Sequence, residues 1–108
     1  MTSTGLLDRR AFALAVEHLA NARVVVVNGA RQSGKSELLR MVHRRFGGRY
    51  LTLDQPGDLR VARIDPSGLV AVPNRPLIVD EVQRGGDPLV LAIKAAVDAD
   101  ASRGQFLL

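Results

Sequence analysis

The segment GARQSGKS, Gly29 to Ser36, has two glycines, a lysine and a serine at a spacing that could hold phosphate groups. Glycines allow a tight turn, so that backbone N–H groups can point inward at phosphate oxygens. A helix that begins at the end of the loop presents its positive end to the same anion. The segment fits the pattern G-x-x-x-x-G-K-[ST], in which the lysine reaches the β- and γ-phosphates and the hydroxyl coordinates Mg²⁺. Lys35 and Ser36 occupy these positions.

This phosphate loop predicts a nucleotide-binding segment that extends into the first turn of the following helix. The simpler alternative is a glycine-rich turn without a ligand, but Lys35 and Ser36 have no evident packing role there. Arg31 lies in the variable part of the loop and is expected to face solvent rather than to act in catalysis. The candidate nucleotide-binding residues are Gly29, Ala30, Arg31, Gln32, Ser33, Gly34, Lys35, Ser36 and Glu37.

An acidic pair follows a solidly apolar strand in LIVDEVQR, Leu77 to Arg84. Ligands bind at the carboxyl edge of open parallel sheets, where this pair would lie. Asp80 could hold Mg²⁺ through a water, with Ser36 as the other metal residue, and Glu81 could orient and deprotonate an attacking water. Glu81 and Lys35 are therefore the candidate catalytic residues. Alone, the pair could equally be solvated acids at a strand end; the phosphate loop upstream favours the functional interpretation.

The elements that must position these residues alternate between strand and helix. The continuous apolar run Val24–Val27 predicts a strand buried on both faces, and helices are expected from Asp8, as N-cap, to about Ala22 and from Lys35 to Phe46. Residues 58–72 remain ambiguous, and Asp54 is expected to cap a turn rather than to approach a metal. The pattern predicts one α/β domain over residues 1–108. The other expected elements are strands Arg49–Asp54, Leu77–Val79 and Gln105–Leu108 and a helix from Asp87 or Pro88 to about Ala101.

Composition limits the classes of partner. The sequence has no run of 18 consecutive apolar residues, so a membrane-spanning helix is not expected. The absence of cysteine suits a cytoplasmic protein. The net charge is +4, and the densest basic group, Arg40, Arg44 and Arg45, is more simply a solvated helix face than a nucleic-acid contact. His18 and His43 have no partners at metal-ligand spacing.

The segments NGARQSGKSELLR, YLTLDQP, PLIVDEVQR and GQFLL resemble the AAA-type P-loop ATPases of bacteria and archaea whose nucleotide domain precedes a domain of unknown function. The shared features are Arg31-Gln32, Leu53-Asp54 and the D-E-x-Q-R segment from Asp80 to Arg84. The resemblance implies ATP and Mg²⁺ as cofactors and a three-layer parallel sheet with helices on both faces and strand order 1-4-3-2. Ala30, where the family often has proline, is a mild departure.

A larger departure concerns the end of the chain, because family members continue beyond GQFLL into a sensor segment, a fifth strand and an arginine finger. The resemblance therefore implies a domain truncated after the fourth strand. It would bind ATP but hydrolyse it slowly, since an arginine finger is worth roughly 10³ to 10⁵ in rate. A protein partner or second copy could complete the sheet. The alternatives are a non-catalytic fragment, a nucleic-acid-associated ATPase and, less in keeping with the Asp-Glu pair, a P-loop kinase.

Overall fold

Helices and strands alternate along the chain in the computed structural model, which describes the backbone of residues 2–27 and 34–108 and the side chains of residues 9–27 and 34–108. A 3₁₀ helix, Val82–Gly85, connects the third strand to the last helix. The elements in chain order are α1 Thr2–Asn21, β1 Val24–Val25, α2 Lys35–Phe46, β2 Arg49–Thr52, α3 Pro56–Ile64, α4 Pro66–Ala71, β3 Leu77–Asp80, α5 Gly86–Ala99 and β4 Phe106–Leu107.

The four strands form one parallel sheet in the order β1-β4-β3-β2, which confirms the expected order. Phe106 lies beside Val24 on one side and Leu77 on the other, so the last strand fills the position between the first and the third. All four residues of β3 are buried, as its continuous apolar run predicts for an inner strand of a parallel sheet. The register between β2 and β3 places Thr52 beside Asp80.

Two apolar cores cover the two faces of the sheet, so the architecture has three layers. On one face α1 and α2 pack over Ile78 and Leu107, with Leu39 and Val42 contributed by α2. On the other face α3, α4 and α5 pack over Leu51, Leu77, Val79 and Phe106. Alternate residues of each strand therefore enter different cores, because successive side chains on a strand point to opposite faces.

Helix α2 has the predicted bounds, and glycines explain its end. Gly47 and Gly48 have φ values of 75° and 77°, a conformation that side chains other than glycine disfavour. The Gly47 N–H donates to the His43 carbonyl at 2.8 Å and closes the last turn. The ambiguous residues 58–72 form two helices, α3 and α4. Each has a proline in its first turn, and the Asp65 side chain caps α4 by accepting from the Gly68 N–H.

Three of the sequence-based expectations need correction. Helix α1 begins at Thr2, so Asp8 lies inside it and is not its N-cap, since the residues before Asp8 also adopt helical backbone. The run Val24–Val27 is not buried on both faces: β1 lies at an edge of the sheet, and Val26 is 59% exposed. Strand β2 ends at Thr52, where the chain turns and the Gln55 N–H donates to the Thr52 carbonyl at 3.0 Å.

Candidate functional site

The amino end of α2 lies at the carboxyl edge of the sheet. Gly34 precedes it with φ 88° and ψ 13°, in the left-handed region that favours glycine. Lys35 is the first residue of the helix, and the first N–H groups of any α-helix have no partner within it. This end can therefore attract an anion. Of the predicted phosphate loop, the residues from Gly29 to Ser33 lie outside the described part of the chain.

A hydrogen bond joins the two candidate motifs. The Ser36 hydroxyl donates to Oδ2 of Asp80 at 2.6 Å, although the two residues are 44 positions apart in the sequence. A serine hydroxyl has one proton and two lone pairs. Because the proton is given to Asp80, the lone pairs of Ser36 remain available to a ligand. The structure thus brings together the two residues that sequence reasoning assigned to the metal.

The carboxyl group of Asp80 is removed from solvent and only partly satisfied. Asp80 is 2% exposed, and its Oδ1 atom is buried without a hydrogen-bond partner among the described residues. Buried polar atoms of native proteins nearly always have a partner, so this oxygen is one that a bound ligand could satisfy. Mg²⁺ prefers hard oxygen ligands and is commonly held by one or two carboxylates with water and phosphate oxygens. The serine and aspartate oxygens fit that ion.

Tyr50 on β2 is a second donor near the same carboxylate, and sequence reasoning missed it. Its phenol oxygen lies 3.5 Å from Oδ2 of Asp80, and its ring is 5.9 Å from that of His43. Burial raises the pKa of Tyr50, the negative charge of Asp80 raises it further, and the charge of Arg40 opposes this rise. The alternation in RYLTLD could have indicated the position of Tyr50. It places Tyr50 and Thr52 on the face of the strand opposite Leu51 and Leu53.

Glu81 has an unusual backbone conformation and an anchored side chain. It adopts φ 57° and ψ 44°, left-handed values that are costly for residues with a side chain. The side chain is 9% exposed, and Gln83 Nε2 donates to its Oε1 at 2.6 Å. Strained backbone of this kind often occurs at functional sites. Sequence reasoning noted Gln83 only through the family resemblance and gave it no role.

Asp54 and Arg84 form an ion pair at the same edge of the sheet. Arg84 Nη1 lies 2.9 Å from Asp54 Oδ1, and both side chains are more than two-fifths exposed. Arg63 Nη2 also donates to the Arg84 carbonyl at 3.1 Å. Sequence reasoning did not anticipate this pairing, and the expected role of Asp54 in capping a turn stays a prediction. The pair ties the end of β2 to the 3₁₀ helix that follows Glu81.

The remaining candidates lie on the exposed side of α2 or away from the site. Glu37 is in the first turn of α2, and its Oε1 accepts from Arg44 Nη2 at 2.9 Å, a bond that lowers the pKa of Glu37. Arg45 stacks on the Phe46 ring at 5.0 Å. His18 is exposed on α1, and His43 packs beside Tyr50. No group of three or more potential metal ligands clusters within the described residues.

The four strands form a parallel sheet of order β1-β4-β3-β2. At its carboxyl edge, a helix preceded by glycine lies beside a buried aspartate. This combination defines a P-loop NTPase-like fold. A family model described as AAA domain matches residues 21–108, so the chain belongs to the AAA domain family. Membership supports a nucleotide-binding role. No curated protein and no solved structure shows significant similarity to the chain. Among the described helices, none has the length and apolarity needed to cross a bilayer.

Proposed function

We propose that the chain is a single AAA-like ATPase domain that binds ATP with Mg²⁺. The observation that carries this proposal is the 2.6 Å hydrogen bond from Ser36 to Asp80, which joins the end of the phosphate loop to the end of β3. The serine and aspartate oxygens have unused lone pairs that suit a cation. The positive end of the adjacent helix suits the anion that carries this cation. The preference for ATP over other nucleoside triphosphates rests on the family resemblance, and competition with GTP would test it.

Each residue of the site has a proposed role. The residues from Gly29 to Gly34 are proposed to bind the phosphates through backbone N–H groups, and Lys35 to place a positive charge near the β- and γ-phosphates. The N–H groups of the first turn of α2, up to Glu37, extend this cradle. Ser36 and Asp80 hold Mg²⁺, which neutralises charge on the phosphate oxygens when it is bound.

Glu81 is the proposed general base of ATP hydrolysis. Glu81 follows Asp80 directly at the carboxyl edge of the sheet, and the hydrogen bond from Gln83 anchors its carboxylate there. In this position the carboxylate could accept a proton from water. We expect Glu81→Gln to retain ATP binding and to lose hydrolysis, measured as phosphate release. Turnover at the wild-type rate in this variant would exclude Glu81 as the base, while leaving the binding site intact.

Thermal unfolding with and without Mg-ATP tests the binding proposal directly. At 100 times its dissociation constant a ligand stabilises the folded state by about 2.7 kcal/mol. For a domain of this size that corresponds to a rise of roughly 10–20 °C in melting temperature. Lys35→Ala should abolish the rise. The chain offers a matched control, because its other lysine, Lys94, is exposed on α5, and Lys94→Ala should keep the full effect.

Four outcomes of this experiment are informative. A rise in the wild type and in Lys94→Ala but not in Lys35→Ala supports the proposed site. An equal rise in all three proteins would place the nucleotide elsewhere. A cooperative transition with no rise in any of them would contradict nucleotide binding, and loss of a cooperative transition would favour the alternative of a fragment that depends on a partner.

A protein partner is proposed at the β1 edge of the sheet. Among the described residues β1 pairs only with β4, and the exposed Val26 follows it directly, so the other edge of β1 is the proposed place for a further strand. The proposed occupant is a strand from a partner protein or from a second copy of the chain. Sedimentation over a range of protein concentrations should show self-association if a second copy is used. A monomer at all concentrations would leave a different protein as the partner.

A further inference from the structure

Tyr50 lies where it can orient the carboxylate that faces the proposed metal. Its phenol oxygen is 3.5 Å from Oδ2 of Asp80, the same atom that accepts the Ser36 hydroxyl proton. Strand register makes this contact possible, since Tyr50 pairs with Ile78, two residues before Asp80, and shares its face of the sheet. Both donors therefore act on one oxygen and leave the other, Oδ1, without a partner among the described residues.

We propose that Tyr50 is a positioning residue that keeps Oδ1 of Asp80 turned toward the Mg²⁺ site; this inference rests on the proposed function. The terminal torsion of an aspartate side chain is broad, so one hydrogen bond from Ser36 leaves the carboxylate free to rock. A second donor on the same oxygen narrows that motion. Residues behind a metal ligand commonly set its orientation in this way.

The length of the contact sets the size of the expected effect. Phenol-to-carboxylate hydrogen bonds usually measure about 2.5–2.7 Å, so a separation of 3.5 Å restrains Asp80 weakly. Loss of a well-formed hydrogen bond behind a metal ligand typically reduces metal affinity by about 10–100-fold. We therefore expect removal of the Tyr50 hydroxyl group to raise the Mg²⁺ concentration needed for half-maximal ATP binding by a few-fold to about 10-fold.

Calorimetric titration of ATP at a series of Mg²⁺ concentrations tests this role. Tyr50→Phe keeps the ring in the core and removes only the hydroxyl group. It should raise the Mg²⁺ concentration needed for half-maximal ATP binding by about 3–10-fold. ATP binding in the presence of a metal chelator should stay at the wild-type level, because the phosphate loop is unaltered. His43→Leu is the matched control, since it changes the packing beside the ring but keeps the hydroxyl.

The outcomes separate this inference from the proposed function. If wild-type protein binds no ATP, the proposed function fails, and the role of Tyr50 fails with it. If wild-type binding depends on Mg²⁺ and Tyr50→Phe shows the same dependence, only the role of Tyr50 is overturned. If His43→Leu shifts the Mg²⁺ dependence as much as Tyr50→Phe, ring packing is responsible and the hydroxyl group is not.

Tyrosine fluorescence of the metal-free protein gives a readout that does not need nucleotide. The chain has one tyrosine and no tryptophan, so this emission belongs to Tyr50 alone. A nearby carboxylate quenches an excited phenol by accepting its proton. Asp80→Asn should therefore increase the emission, whereas Asp98→Asn, on the exposed surface of α5, should leave it unchanged. Equal emission from the wild type and Asp80→Asn would overturn the contact.

Discussion

The carboxylate of Asp80 is almost fully buried, with Oδ2 close to two hydroxyl groups and Oδ1 without a partner among the described residues. Burial of a carboxyl group in this environment lowers the stability of the protein unless a ligand or hydrogen bonds compensate for its desolvation. The proposed binding role would account for a buried carboxylate at this position. At Asp80, a residue proposed to bind a ligand therefore lowers the stability of the fold locally.

Asp80→Asn should stabilise the metal-free protein, because a buried neutral amide is less costly than a buried carboxylate. We expect a gain of about 1 kcal/mol in the free energy of unfolding, or roughly 4–8 °C in melting temperature measured in a chelator. The variant should also lose the Mg²⁺ dependence of ATP binding. Asp58→Asn is the control: its carboxylate accepts the Thr52 N–H at 3.0 Å, so this variant should be less stable. A loss of stability in Asp80→Asn would contradict this account.

The left-handed backbone of Glu81 also lowers the stability of the fold locally. A left-handed conformation costs a residue with a side chain about 1–2 kcal/mol, more than the roughly 0.4–1 kcal/mol of extra unfolded-state entropy that glycine brings. Glu81→Gly should therefore be more stable than Glu81→Ala by about 0.5–1 kcal/mol, measured by urea unfolding. Both variants lose the carboxylate and its bond to Gln83, so their difference isolates the backbone. Equal stabilities would show that the observed φ of 57° carries no strain.

At the scale of elements, the connection between α2 and β2 sets how the helix that carries Ser36 lies against the sheet. A side chain on Gly48 would overlap with the Pro76 carbonyl oxygen, which also accepts the Arg49 N–H at 3.1 Å. The close approach of these backbones lets β2 pair with β3 immediately after the turn. The positions of Tyr50 and of Ser36 relative to Asp80 both depend on this connection.

Gly48→Ala should be strongly destabilising, since it combines a positive φ with a backbone overlap. We expect a loss of about 2–4 kcal/mol in the free energy of unfolding. Gly57→Ala is the matched control: it lies in α3, where an added methyl group meets nothing within 4 Å. That variant should be neutral or gain up to about 1 kcal/mol. Urea unfolding measures both, and a small loss in Gly48→Ala would mean that the turn can move without disturbing the sheet.

At the scale of the whole molecule, the net charge of +4 is compatible with weak binding to polyanions. The basic group on α2 is partly engaged within the protein, because Arg44 pairs with Glu37 and Arg45 stacks on Phe46. These contacts favour a solvated helix face over a nucleic-acid interface. Only one tyrosine and three phenylalanines are present, too few for a platform that stacks bases.

We expect any DNA binding to be weak and to disappear at physiological salt, as non-specific contacts do. Fluorescence anisotropy of a labelled duplex over a salt series would measure it. A variant with Arg40, Arg44 and Arg45 all changed to glutamine serves as the comparison. Binding that persists at physiological salt and is lost in this variant would reverse the interpretation and support a nucleic-acid-associated ATPase.

Much of the fold follows from local patterns. Helix α2 has its predicted bounds because a glycine precedes it and two glycines end it, and β3 was recognised because an inner parallel strand is apolar throughout. The strand order came from the family resemblance, and the structure confirms it. The apolar run Val24–Val27 could not by itself show that β1 lies at an edge, because edge strands and inner strands can both be apolar. The strand order implied by the resemblance did place β1 there.

By itself the sequence indicated most of the elements and the candidate residues for chemistry, because periodicity, glycines and the order of polar residues act over short distances along the chain. It left α3 and α4 undecided. Among distant side chains, it suggested only that Ser36 and Asp80 lie near one metal. The contacts of Asp80 with Ser36 and Tyr50 span 44 and 30 positions, and the pairing of Asp54 with Arg84 also spans 30. Only the parallel sheet decides these contacts, since its register brings the carboxyl ends of β2 and β3 to one edge beside the amino end of α2.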